Sequence, residues 1–243
     1  MMEKSFSPEN LDDVENKERE PRGREIDFYL FRHAEATGGG IDAEVTEQGK
    51  EQAVEAAENL LQRIIQEGGG VIKFLSSPVR RAGQTAEIMQ STLKKLLAEQ
   101  GIENIRLMNP HDREALRAAG VIGPLKQRGI DNPIEYWFRN PESLEGKSPQ
   151  KTAEQLRKII DSLQRMADRL PSGEKIYYIG VTHEVPQAAL LHQVTGKTLD
   201  ELGGGIKNCE SIKVELRGKS DEIPTVSFRD SQMKVEQSST DEH

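Results

Sequence analysis

The chain has 243 residues, 35% hydrophobic and 30% charged, and its 33 Lys+Arg against 41 Asp+Glu leave a net charge of −8. That surplus of carboxylates excludes a dedicated nucleic-acid binder, whose affinity rests on neutralising phosphates, and no run approaches the roughly 20 apolar residues of a membrane helix. The single cysteine, Cys209, can close no internal disulfide and can build no thiolate metal cage.

The first residues, MMEKSFSPENLDDVENKERE, have no apolar core for a secretory signal. A cytoplasmic protein is therefore expected. Residues 1–24 are dense in charge and are expected to be disordered, as is the tail 231–243, because neither buries enough apolar surface to offset its conformational entropy. One domain over 25–230 remains.

That domain opens with IDFYLF (26–31), an apolar aromatic run of the kind buried on both sheet faces. Thr46 is a natural N-cap for the helix that follows, in which Ala53, Ala56, Ala57, Leu60, Leu61 and Ile64 recur at helical spacing until three glycines, 68–70, stop it. A strand over 71–77, a helix over 80–99 and a strand over 102–108 come next. The segment 109–147 has weak periodicity and four prolines, and reads as an insertion with a short helix. A long helix over 149–170, a strand over 175–182 and a helix over 185–194 follow. SIKVEL and TVSF close the domain as a strand pair. Strands alternating with helices imply an α/β fold: a three-layer α/β/α sandwich around a mostly parallel sheet.

Ligands of such sheets bind beyond the carboxyl ends of the strands. Three polar motifs stand there: RHAEA after the first strand, SSPVRRAGQTA after the second and THE after the fourth. Each alone has a bland reading, a backbone-satisfied histidine or a solvated basic pair. Together they bring two guanidiniums and two imidazoles to one edge of the sheet. Guanidinium forks match phosphate oxygens, and a helix N-terminus adds backbone donors. A neutral imidazole can attack phosphorus when its other nitrogen is held. No HxH, HExxH or DxDxG cluster provides a metal, so neither metal nor cofactor is expected. The glycines at 38–40 and 203–205 read as rim loops rather than phosphate cradles.

LFRHAEA, VTEQGKEQA, SSPVRRAGQTAEIM and VTHE, in that order across residues 26–195, resemble the histidine phosphatase superfamily, the phosphoglycerate-mutase-like proteins. The resemblance implies a phosphohistidine mechanism. It makes His33 the nucleophile, Arg32 and Arg81 the phosphate-binding arginines, and His183 the second histidine that binds the phosphoryl group in the transition state. Arg80 falls one place early, facing substrate or solvent. For the general acid, the resemblance points to a carboxylate after the third strand. Glu114 is the first candidate and Asp112 the second; Glu184 is the alternative, by likeness to the acid-phosphatase branch, where an acidic residue directly follows the second histidine.

RHA stands where glycine is commoner, as in small bacterial phosphohistidine phosphatases, and the Trp-Asn and Gly-Trp elements of the mutases are missing. Hydrolysis is therefore expected over mutase activity, with a non-catalytic phosphate-binding scaffold as the alternative. The expected partner is a phosphorylated small molecule or protein, with no nucleic acid and no membrane; the oligomeric state has no sequence signal. Arg113, Arg117, Lys126, Arg128, Tyr136, Trp137 and Arg139 are the insertion's candidates for meeting the leaving group, although a Tyr-Trp-Phe cluster is more often packing.

Overall fold

The computed structural model describes residues 23–117, 120–144, 148–218 and 223–234. Seven strands form one sheet in the order β3-β2-β4-β1-β5-β6-β7. β1 (Ile26–Arg32), β2 (Gly70–Ser76), β3 (Ile105–Asp112) and β4 (Ile176–Thr182) run parallel. β5 (Ser211–Leu216), β6 (Thr225–Phe228) and β7 (Ser231–Lys234) extend the sheet antiparallel.

Central strands need cover on both faces, and their alternation supplies it. Tyr29 and Phe31 of β1 face α1 (Glu47–Gln66) and α2 (Arg80–Glu99) in one apolar cluster. Phe28 and Leu30 enter a second cluster with α5 (Pro149–Arg169) and α6 (Glu184–Thr195). This is the expected α/β/α sandwich. Thr46 caps α1 as its residue type implies, its Oγ1 accepting from Gly49 N–H at 3.0 Å. Gly49 is required there, because a Cβ at this position would lie 2.2 Å from the Glu35 carbonyl oxygen. The first turn of α1 therefore packs directly on the loop that follows β1.

Three expectations shift. β3 starts three residues later and ends four later than the periodicity suggests. Ile102 N–H is still bonded to Leu97 O at the end of α2, while β3 continues past Pro110 because it is an edge strand, where a missing N–H is tolerated. The insertion carries two short helices rather than one, α3 (Ile122–Gln127) and α4 (Pro133–Arg139), after a 3-10 turn at Glu114–Leu116. The expected disordered tail begins instead with β7, where Ser231 pairs with Phe228 and Lys234 with Thr225. Its sequence, SQMK, hides this, since an edge strand is held through its backbone and only Met233 packs on the core. At the other end, residues 1–22 lie outside the described residues, while Gly23 and Arg24 N–H groups bond to Leu170 O and Ala167 O at the end of α5.

At the amino end of β1, opposite the three motifs, Asp27 is fully buried. Lys175 Nζ and Lys213 Nζ each lie 2.8 Å from its Oδ2, and Arg217 Nη1 lies 3.1 Å from Oδ1. Burial alone raises a carboxyl's pKa, but hydrogen bonds and charge from Lys175 and Lys213 outweigh it and hold Asp27 below its ordinary value. Removing one member of such a cluster strands the rest. Asp27→Ala is expected to cost about 3 kcal/mol in urea unfolding. A depressed carboxyl pKa contributes stability above the unfolded value of 3.8, which is lost as pH falls through the lower folded value. The parent should therefore lose this increment under acid and the variant should have none to lose.

Candidate active site

The strand register sets the three motifs level. Arg32 pairs with Thr182, and Ser76 with Val181, so β1, β2 and β4 end side by side. His33 N–H continues the ladder to Thr182 O at 2.9 Å. The chain then turns into α2 and α6, whose N-terminal turns have no side-chain cap and leave backbone donors facing the sheet edge.

Arg32, His33, Arg81 and His183 meet here, in the floor of a cavity of about 700 Å³. The two imidazoles stand 5.1 Å apart, centroid to centroid, edge to face. His33 Nδ1 lies 2.7 Å from Ala34 O and can only donate to it, so the neutral ring carries its lone pair on Nε2. Arg81 reads that lone pair: its Nε donates to His33 Nε2 at 2.9 Å. Its Nη2 donates to His183 Nδ1 at 3.1 Å, and its Nη1 to Gly40 O at 2.7 Å. His183 Nε2 must then carry the proton, which it donates to Ser77 Oγ at 3.0 Å. One guanidinium thus sets the tautomers of both histidines.

Burial, checked by the Ala34 carbonyl but reinforced by the charges of Arg81 and Arg32, pushes His33 down to about 4. Burial, then His33, Arg81 and Arg32, push His183 down to about 2. Both rings are therefore held neutral at physiological pH.

Arg32 Nη1 lies 3.2 Å from Glu184 Oε2 and also donates to Ile206 O, while its buried Nε has no hydrogen-bond partner among the described residues. A half-buried guanidinium with a donor to spare is what an anion would complete. Arg80 points away and pairs with Glu44.

Glu114 does not join the cluster. Its side chain is 71% exposed, pairs with Arg117, and is absent from the cavity lining. The 3-10 turn that carries it seats Leu116 in the core instead. Asp112 ends β3 opposite Ser76, and its side chain is not among those described. The carboxylates lining the cavity are Glu184, Glu35 and Asp131. Glu35 accepts from Thr46 Oγ1 at 2.9 Å, tied to the cap of α1. Asp131 is exposed at the mouth. Of the three, Glu184 is the one that pairs with Arg32.

Sequence-based reading missed the residues that hold this arrangement from behind. Asn208 Nδ2 donates to His33 O at 2.9 Å across 175 positions. Gln187, fully buried, donates to Leu30 O at 2.6 Å. Arg229 binds Glu210 and the carbonyls of Leu202, Gly204 and Gly205, fastening the loop whose Ile206 carbonyl receives Arg32. Asn208 and Arg229 carry no local signal. Ser77 lies within SSPVRRAGQTA, and a serine one residue past the end of a buried strand is its only signal.

Among the insertion's candidates Lys126 lines the cavity, Trp137 is fully buried in packing, and the other five do not line it. Gly38 and Gly39 do, as rim-loop residues.

The sequence matches the histidine phosphatase superfamily (branch 1) over residues 28–228. The chain belongs to this family. No curated protein matches it by sequence. Among solved structures, the mycobacterial glucosyl-3-phosphoglycerate phosphatase complexed with VO3 superposes with a TM-score of 0.54 at 18% identity, over 77% of this chain and 90% of that one. The phosphoserine phosphatase of Entamoeba histolytica in complex with 3-phosphoglyceric acid gives 0.51 at 17% identity, over 78% and 90%. At such identities the likeness establishes the shared fold. Within this histidine phosphatase domain, no group of three His, Cys, Asp or Glu side chains able to hold a metal occurs among the described residues, and no described helix is long and apolar enough to cross a membrane.

Proposed function

We propose that the chain is a metal-independent phosphatase that transfers the phosphoryl group of a monoester to His33 Nε2 and then to water. The observation that carries this is the single guanidinium of Arg81 bridging the lone pairs of two neutral histidines. A phosphoryl group entering between them takes over those guanidinium donors and frees His33 Nε2. Arg32, with its unpartnered Nε–H, binds a second oxygen.

The lone pair of His33 Nε2 forms the N–P bond as the bond from phosphorus to the leaving oxygen breaks. Ala34 O keeps the ring in place throughout. The dianion reverses the local electrostatics, so His183 Nδ1 takes up a proton from solvent as the substrate binds, keeps it, and donates a hydrogen bond to an equatorial oxygen. We infer that Glu184 protonates the leaving oxygen. The substrate's claim on Arg32 loosens the guanidinium from Glu184, which leaves the carboxyl within reach of the leaving oxygen. In the second half, Glu184 accepts a proton from water, the water oxygen attacks phosphorus, and the N–P electron pair returns to Nε2.

The test is to quench turnover of a radiolabelled phosphomonoester with alkali and locate the label. Acid-labile phosphate on the peptide containing His33 is expected. Inorganic phosphate accumulating with no protein-bound label at any quench time would overturn the mechanism. Vanadate binding without turnover would favour the scaffold reading.

The pH profile gives a second check. Because His33 is held down to about 4, kcat/KM, which reports the free enzyme, should not decline on His33's account until pH approaches 4. An acid limb near the ordinary histidine value of 6.5, in addition to the limb from the substrate's own second phosphate ionisation at about pH 6, would contradict the buried, neutral nucleophile.

A further inference from the structure

The cavity exceeds what a phosphoryl group needs, so its remaining wall must receive the leaving group. Beyond the floor, the apolar part of that wall is Val121, Ile122, Pro124, Pro133, Ile134 and Val185. Val121 and Val185 are buried and belong to a third apolar cluster built around Trp137, Leu125, Ala153 and Ala189. The insertion thus provides a preformed apolar surface backed by α5 and α6, not a loose flap.

The wall offers little to a polyol. Asn132 uses its oxygen to cap α4, accepting from Glu135 N–H at 3.4 Å. Asn208 spends its amide on His33 O and Glu35 accepts from Thr46. Hydroxyls buried there would exchange water for few partners, a net cost. Among the described residues, Lys126 and Asp131 are the charged lining side chains with neither an ion pair nor a hydrogen bond. Both are exposed at the mouth, and they are opposite in sign.

Charge points the same way. Arg32, Arg81 and Lys126 face Glu35, Asp131 and Glu184, while both histidines are neutral, so the lining sums to zero before substrate arrives. A phosphoryl dianion claims both arginines. A second anionic group on the substrate would find one lysine, opposed by the carboxylates of Glu35, Asp131 and Glu184.

We propose that this site selects phosphomonoesters whose leaving group is apolar and carries no second anionic group, against sugar phosphates and phosphoglycerates. The proposal rests on the phosphatase reading, and the experiment separates the two. Ethyl, butyl and hexyl phosphate have alcohol leaving groups of matched basicity, so a rise in kcat/KM along the series reports the wall rather than the chemistry. Each methylene fully buried is worth about fourfold. Hexyl phosphate is expected to exceed ethyl phosphate by more than about tenfold, and to exceed 3-phosphoglycerate and glucose 6-phosphate as well. Ile122→Ser should lower the hexyl-to-ethyl ratio.

The uncleavable ethyl and hexyl phosphonates, titrated by calorimetry, give the same comparison without turnover. A flat alkyl series in both assays, or a preference for 3-phosphoglycerate or glucose 6-phosphate over hexyl phosphate, overturns the proposal. If no ester is hydrolysed while hexylphosphonate binds more than about tenfold tighter than ethylphosphonate, the phosphatase reading fails and the apolar specificity stands.

Discussion

His33→Ala is expected to lower kcat/KM for a phosphomonoester by roughly four orders of magnitude or more, the scale on which removing a catalytic nucleophile acts. The substitution leaves a space beside Arg81 but keeps both arginines, His183 and the helix N-termini, so vanadate or phosphate should still bind within about tenfold of the parent. That combination, lost turnover with retained oxyanion binding, separates a nucleophile from a phosphate ligand. Arg81 complicates the outcome in a useful way. Its Nε loses its acceptor at His33, while Nη1 and Nη2 remain bonded to Gly40 O and His183 Nδ1. The guanidinium should therefore stay seated, and the folded state should change little. Hydrolysis by His33→Ala at the parental rate would remove the phosphohistidine route altogether.

Three of the quartet were legible because Arg32 closes, and His33 and His183 directly follow, strands whose burial is unmistakable, while Arg81 stands in the first turn of the helix that follows β2. IDFYLF and IYYIGVT are apolar on both faces, and parallel pairing then forces Arg32 beside Thr182 and brings His33 and His183 together. The position of the candidate acids was not legible: the resemblance places Glu114 first, Asp112 second and Glu184 as the alternative, and only packing decides that Glu184 rather than Glu114 faces the cavity. Leu116 turns into the core, and that rotation sends Glu114 outward to Arg117. His183 ends the β4 ladder, and α6 starts one residue on, which sets Glu184 beside Arg32. The supports were illegible for a different reason. Asn208 and Arg229 act across more than 170 and on the order of 20 positions respectively, through backbone carbonyls that any residue would present. Asp27 did carry a signal, since a charge inside an otherwise apolar strand demands a partner. Its three partners, Lys175, Lys213 and Arg217, come from β5 and the flanks of β4 and β5, which no local pattern connects to it.

Glu184→Gln carries the second large effect, and its form is more informative than its size. As general acid, Glu184 assists a poor leaving group most. With an alkyl phosphate, removing it should lower kcat/KM by about 10²- to 10⁴-fold. A p-nitrophenyl ester, whose leaving phenolate needs no proton, should phosphorylate His33 nearly as fast as in the parent. Its second step still lacks the base that activates water, so the phosphoenzyme should accumulate. The expected trace is a burst of nitrophenolate close to one equivalent per chain, followed by a slow steady state. The Arg32 contact is a confounding element, because glutamine at 184 also weakens an ion pair seen at 3.2 Å. Loss of that pair, however, would weaken both esters alike and would produce no burst. Glu114→Gln, altering a side chain 71% exposed and outside the cavity, should leave both esters unaffected. The opposite pattern, a leaving-group-dependent loss in Glu114→Gln and none in Glu184→Gln, would return the acid to the insertion and require the turn at Glu114–Leu116 to reorganise when substrate binds.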